Sequence, residues 1–154
     1  ANDGLMMQPH IVHQIIDGEM VFTTQPSPMG RPVSAQTAQM VQEMMVQVVE
    51  QGVNNARITG YTVAGKTGTA QIPIPGGYQD DTSIVTFVGF LPADEPQVSV
   101  LIKLDRPDEY WGSVVAAPIF AHLAERMVIL LEIPPDSVRL QLASQGGQLE
   151  AVDR

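Results

Sequence analysis

The sequence predicts an α+β fold, an antiparallel sheet packed by helices, and three observations carry that prediction. Two β-branched runs, Ser83–Leu91 and Val98–Leu104, are separated only by Pro92-Ala93-Asp94-Glu95-Pro96, a link so short that the strands it joins must be antiparallel. Ala38, Val41, Met44, Met45, Val48 and Val49 recur at helical spacing between Ser34 and Gly52. The elements also run hairpin, helix, three strands, helix, without internal repeat, which is the order of helices laid on a sheet.

Taken from the start, Ala1-Asn2-Asp3-Gly4 reads as the tail of a helix closed by a glycine C-cap, as if the chain were a piece of something longer. His10–Ile16 and Glu19–Thr24 flank Asp17-Gly18, a two-residue hairpin signal. Gln25–Pro32 carries three prolines and a glycine and reads as a loop. Ser34 caps a helix predicted over Ala35–Gln51 and ended by Gly52, whose methionine and valine stripe reads as core packing rather than an adaptable binding face. Val53–Gly60 is turn-rich, and Tyr61–Ile72 is strand-like until Pro73, Pro75, Gly76 and Gly77 end it. After the next two strands a helix begins at Ser113, with Pro118 expected near its first turn, and Pro134-Pro135 stops it. From Ser137 the chain turns polar and aperiodic, so residues 137–154 are expected to be a frayed tail.

The length, 154 residues, suits one domain able to bury a core without disulfides or metals, and 44% apolar against 16% charged residues is a globular balance. Eight cationic and seventeen acidic residues give a net charge of -9, which makes nucleic acid a poor partner, and none is expected. The absence of cysteine removes thiolate metal sites and thiol nucleophiles. The longest apolar stretch, Met127–Leu131, is too short to span a bilayer, and the first residues lack the pattern of a signal peptide, so neither a membrane helix nor a leader is expected. Only Lys66 and Lys103 are lysines, which makes a lysine inside a glycine-rich motif conspicuous.

Gly60-Tyr61-Thr62-Val63-Ala64-Gly65-Lys66-Thr67 satisfies the phosphate-loop pattern G-x-x-x-x-G-K-[ST]. That loop works only with a helix directly after it, whose free N–H groups hold the phosphates. Here Gly68, Pro73 and Pro75 follow within a strand-forming segment, so an NTPase is disfavoured.

As Lys-Thr-Gly-Thr on a strand, the same residues resemble the third active-site motif of the penicillin-binding transpeptidases, especially the class B enzymes of bacterial cell-wall synthesis. Ala64–Gln71 carries the motif, Phe87–Asp94 is similar to the strand and turn that follow it, and Ala117-Pro118-Ile119-Phe120 resembles the start of the C-terminal helix. Gly4–Val12 is similar to the segment entering the same half of the domain, so the resemblance covers residues 1–136. It implies the serine β-lactamase/transpeptidase-like fold and a D,D-transpeptidase that cross-links stem peptides through a serine acyl-enzyme and binds penicillin. It also implies the bacterial envelope, at the extracytoplasmic face of the membrane and anchored through a part outside this chain. For the site it implies four residues: Lys66 supplies positive potential, Thr67 and Thr69 offer hydroxyls to a substrate or β-lactam carboxylate, and Gly68 permits close approach of an acyl-peptide. The Thr69 N–H would be one oxyanion-hole donor. Strand alternation puts Lys66 and Gly68 on one face and Thr67 and Thr69 on the other, so all four can serve one site only from a sheet edge.

The family's Ser-x-x-Lys nucleophile motif is absent, since none of Ser27, Ser34, Ser83, Ser99, Ser113, Ser137 and Ser144 has a lysine three residues on. The second motif, Ser-x-Asn, is absent too. The chain therefore reads as the C-terminal half of a transpeptidase domain, inactive alone, with the N-terminal half as partner and self-association by strand exchange as a further expectation. A β-lactam sensor, a serine β-lactamase piece and a non-catalytic scaffold are the alternatives. No cofactor or metal is expected: His10 and His13 fall on opposite strand faces, and His122 stands alone. Asp80-Asp81 and Asp94-Glu95 read as solvated turns, and Tyr110-Trp111 as core cover rather than cleft rim.

Overall fold

The computed structural model describes residues 1–152. Where length predicts one domain, the chain divides into two compact units, with the division between Val41 and Gln42 inside a helix.

In the first unit, β1 (Met6–Met7) pairs antiparallel with β4 (Pro28–Gly30), and β2 (Gln14–Asp17) with β3 (Met20–Thr23). The loop expected over Gln25–Pro32 thus contains a short strand. The hairpin turn is Gly18-Glu19 rather than Asp17-Gly18, because Gly18, at φ +61, takes the first central position and leaves Asp17 paired with Met20. Ala1–Gly4 is a turn and not a helix end: Leu5 N–H donates to the Asn2 carbonyl at 2.7 Å, and Gly4 supplies a positive φ of 76°. The helix that follows, α1 (Ala35–Gln51), has the predicted bounds. Its cap is as expected, with Thr37 N–H donating to Ser34 Oγ at 3.1 Å.

In the second unit, α1 buries Val49 completely and packs Met45 and Val46 on Ala64, Phe90 and Ala93. The stripe is not all core, however: Met44 is 65% exposed, and Met40 and Val41 are exposed as well. A 3₁₀ turn (Asn54–Ala56) leads toward the sheet, where β5 (Ala64–Ile74), β6 (Gly77–Leu91) and β7 (Val98–Asp105) stand antiparallel in that order. Pro73 does not end β5, because an edge strand can lose one N–H on its outer side. The chain reverses instead at Pro75-Gly76, with Gly76 at φ +90, so β6 begins six residues before the expected Ser83.

Helix α2 (Gly112–Leu130) starts one residue early, and Pro118, its seventh residue, lies not near the first turn but in the second, where the Val114 carbonyl lacks its usual donor. By length and composition α2 could cross a membrane, contrary to the expectation from apolar runs alone. Its Ala116, Ala117, Phe120, Ala124 and Val128 are buried in the core with Phe87, Leu91 and Val100 of the sheet. Phe87 and Phe120 meet at 4.8 Å between ring centroids. Beyond Pro134-Pro135, the segment expected to fray is helix α3 (Asp136–Val152), opened by Val138 and Arg139 N–H groups bonding the Pro135 carbonyl at 3.0 and 3.1 Å. An acidic residue, Asp136, occupies its first turn, where it complements the helix dipole.

A Cβ at Gly89 would lie 2.8 Å from the Phe120 ring and 3.0 Å from the Ala64 carbonyl oxygen. Gly89→Ala is therefore expected to destabilise the fold by about 1–3 kcal/mol, read as a lowered midpoint in urea unfolding.

Candidate functional site: an open strand edge

β5 is the first strand of its sheet, and among the described residues nothing pairs with its outer edge. The register sets Lys66 beside Val88 and Leu101, and Gly68 beside Thr86 and Lys103, so both lysines of the chain share one face of the sheet. Thr67 and Thr69 lie opposite Phe87 and Val85, on the face that carries the core, as strand alternation predicts. The edge brings the two faces together. Lys66 Nζ donates to the Thr67 carbonyl at 2.8 Å and to Thr67 Oγ1 at 3.4 Å, so the ammonium curls over the rim of the strand.

The carbonyl of Gly68 accepts from Thr86 Oγ1 at 3.4 Å and thus faces β6. The backbone N–H and C=O of alternate residues point the same way, so those of Thr67 and Thr69 point out from the free edge. The motif therefore gathers an ammonium, two hydroxyls and outward backbone N–H groups along one rim, a set suited to a carboxylate and a developing oxyanion.

Both flanking glycines have structural reasons. A Cβ at Gly65 would meet the Phe87 ring at 2.4 Å, and one at Gly68 would meet Thr86 Oγ1 at 2.5 Å. Gly112, first residue of α2, sits so close to the sheet that its Cβ would be 2.9 Å from the Thr86 carbonyl and 3.4 Å from that of Gly68. This close seating turns the preceding side chain outward. Trp111, expected as core cover, is 60% exposed beside the site strand and packs edge-to-face on Tyr110 at 5.1 Å. Tyr110 is fixed in turn by its carbonyl, which accepts from buried Ser83 Oγ at 3.2 Å.

The segment entering β5 is held at successive residues. Gly60, at φ +86, offers its carbonyl to Asp136 N–H at 2.9 Å, and Tyr61 Oη donates to the Ile133 carbonyl at 2.6 Å. Thr62 N–H donates to Asp136 Oδ2 at 2.6 Å, while its carbonyl accepts from Ala93 N–H at 2.8 Å. Arg139, only 8% exposed, bridges Asp136 at 2.9 Å, Asp94 at 2.5 Å and Glu95 at 3.1 Å. Asp94-Glu95 is thus an anchored turn, not merely a solvated one. Burial pushes the Asp94 carboxyl up, but the Arg139 hydrogen bond and charge outweigh it and hold the group below its ordinary value. Burial likewise opposes the Arg139 charge, and the hydrogen bonds it donates to the Asp94 and Asp136 carboxylates, with their negative charges, overcome it, so its pKa is raised.

The remaining candidates do not join this site. Lys66–Thr67 is followed by strand to Ile74, not by helix, which removes the phosphate-loop geometry. His10 and His13 are exposed and precede β2 rather than lying on it, and His122 is exposed on α2. Asp80 and Asp81 stand exposed on β6, not in a turn. Among the described residues no group of acidic and histidine side chains could hold a metal.

The family model for the penicillin-binding protein transpeptidase domain matches residues 1–125. A probable peptidoglycan D,D-transpeptidase, PenA of Neisseria flavescens, is 38% identical over 128 residues, covering 77% of this chain and 32% of its own length. Stage V sporulation protein D of Bacillus subtilis is 31% identical, covering 99% of this chain and 25% of its own length. The crystal structure of penicillin-binding protein 3 from Mycobacterium tuberculosis, complexed with ampicillin, superposes with a TM-score of 0.75 at 35% identity, over 87% of this chain and 33% of that one. The chain thus spans a quarter to a third of the length of these relatives.

The Arg139 bridge sets a pH dependence. Because the folded-state pKa of Asp94 is lowered, its contribution is present above the ordinary aspartate value of about 3.9 and is lost as pH falls through the folded value. Arg139 stays charged throughout this range. The stability gap between wild type and Arg139→Met, measured by thermal unfolding, is expected to be largest near neutrality and to shrink below about pH 4.

Proposed function

The chain belongs to the penicillin-binding protein transpeptidase family, and on that premise we propose that it forms the Lys66–Thr69 wall of a serine D,D-transpeptidase site that cross-links peptidoglycan stem peptides and is acylated by β-lactams. The observation that carries the proposal is the open edge of β5, where the Lys66 ammonium meets the Thr67 hydroxyl beside outward-facing backbone.

In this reading a serine from outside these 154 residues attacks the penultimate D-alanyl carbonyl. The Thr69 N–H receives part of the oxyanion charge, and the terminal D-alanine leaves as the acyl-enzyme forms. Thr67 and Thr69 hydroxyls donate to the terminal carboxylate, and Lys66 lowers the cost of bringing that anion to a chain of net charge -9. Lys103, two strands away on the same face, adds to the positive potential. The exposed Trp111 ring offers an apolar wall to the acyl side of the ligand.

The relatives are named as peptidoglycan transpeptidases and penicillin-binding proteins, which supports the cell envelope as the place of action. The finer reading is the extracytoplasmic face of the membrane, with anchoring outside this chain. The partner is the N-terminal half of the domain, and strand exchange between copies through an open sheet edge is the competing association. Light scattering after size exclusion separates these: a concentration-independent monomer that also ignores the N-terminal half would refute both. A sensor or β-lactamase is favoured instead if a bound β-lactam is released by rapid deacylation, and a scaffold if a fluorescent penicillin never labels the complete domain.

In the complete domain, Thr69→Val is expected to slow acylation by a fluorescent penicillin about 10- to 150-fold, the value of one hydrogen bond to a carboxylate, ~1.5–3 kcal/mol. Lys66→Ala should cost about 100-fold or more. The 154-residue chain alone should remain unlabelled, and stable labelling of it would overturn the division of the site.

A further inference from the structure

The matched family region ends at residue 125, yet the tightest polar anchoring of the site strand comes from residues beyond it. Asp136 holds Gly60 through its own N–H and Thr62 through its carboxylate, immediately before β5 begins. Thr62 has both backbone groups taken, by Asp136 on one side and Ala93 on the other. Arg139 ties the same carboxylate to Asp94 and Glu95 in the turn between β6 and β7. The guanidinium is nearly buried, and its Nε has no partner, so its orientation is fixed by the three carboxylates rather than by saturating every donor.

An edge strand has ladder bonds on one side only, so its position along the sheet rests on β6 and on whatever grips its ends. The far end of β5 is a hairpin whose register slips between Gln71 and Pro73. The near end is the firm one. Lys66 lies four residues from Thr62, within the reach of a displacement that begins there.

We propose that Asp136, oriented by Arg139, is a positioning residue that fixes the entry of β5 and thereby the placement of Lys66, Thr67 and Thr69 on the open edge. It touches no reacting group and acts through the strand. The consequence for acylation rests on the transpeptidase reading above, whereas the consequence for the strand does not.

Hydrogen exchange on the 154-residue chain tests the strand directly. Asp136→Ala is expected to raise exchange at Thr62, Lys66 and Gly68 amides at least tenfold, with β7 amides such as Val100 and Ile102 unchanged. Asp136→Asn, which keeps an oxygen able to accept from Thr62, should restore most of the protection. A uniform rise across β5, β6, β7 and α2, or no change at β5, would overturn the proposal. In the complete domain, Asp136→Asn and the core variant Val128→Ala are then compared with Asp136→Ala for β-lactam acylation. A rate lowered about tenfold by Asp136→Ala alone, with the labelled fraction unchanged, supports positioning; equal loss in Val128→Ala overturns it. If wild type is never acylated, the function fails while the exchange result still decides the positioning role.

Discussion

Phe87 and Phe120 occupy the space where side chains at Gly65 and Gly89 would stand, and this interlock seats α2 on the sheet. Rings filling glycine gaps leave no room for even one methyl, so strand register and helix position are fixed together. The glycine before Lys66 therefore has a packing role that is independent of any ligand. Because α2 is held this close, Gly112 approaches the Gly68 and Thr86 backbone, and the neighbouring Trp111 is left facing outward. Core and rim follow from the same contact.

Electrostatics complete the arrangement. A chain with more than twice as many acidic as basic residues places both lysines on one face of one sheet, while buried Arg139 is consumed by three carboxylates. Two cationic groups, Lys66 and Lys103, thus lie on the same sheet face as one another, with Lys66 on the strand that has the open edge. Lys66 reaches the strand rim because its side chain is long enough to fold over Thr67, and an outer neighbour on β5 would have closed that rim.

Much of this was legible locally. The α1 bounds followed from Ser34, the apolar period and Gly52, and the antiparallel β6–β7 pair followed from a link too short for a crossover. The Lys66–Thr69 motif, with its accompanying segments, pointed to the family that the relatives bear out. Local signals erred where a neighbour overrides propensity. Pro73 looked like a strand end but lies on an edge strand, and Met44 looked like core though nothing among the described residues covers it.

What the sequence determined by itself was the period and punctuation of its elements, because caps, turns and strand alternation act over a few residues. The tertiary structure alone decided that Asp136 grips Thr62 across 74 positions and that Arg139 grips Asp94 across 45. It likewise decided that α3 continues where a polar tail was expected, and that Trp111 faces out. Those outcomes depend on partners met through space, and a buried charge reveals its carboxylates only after the chain has folded around it.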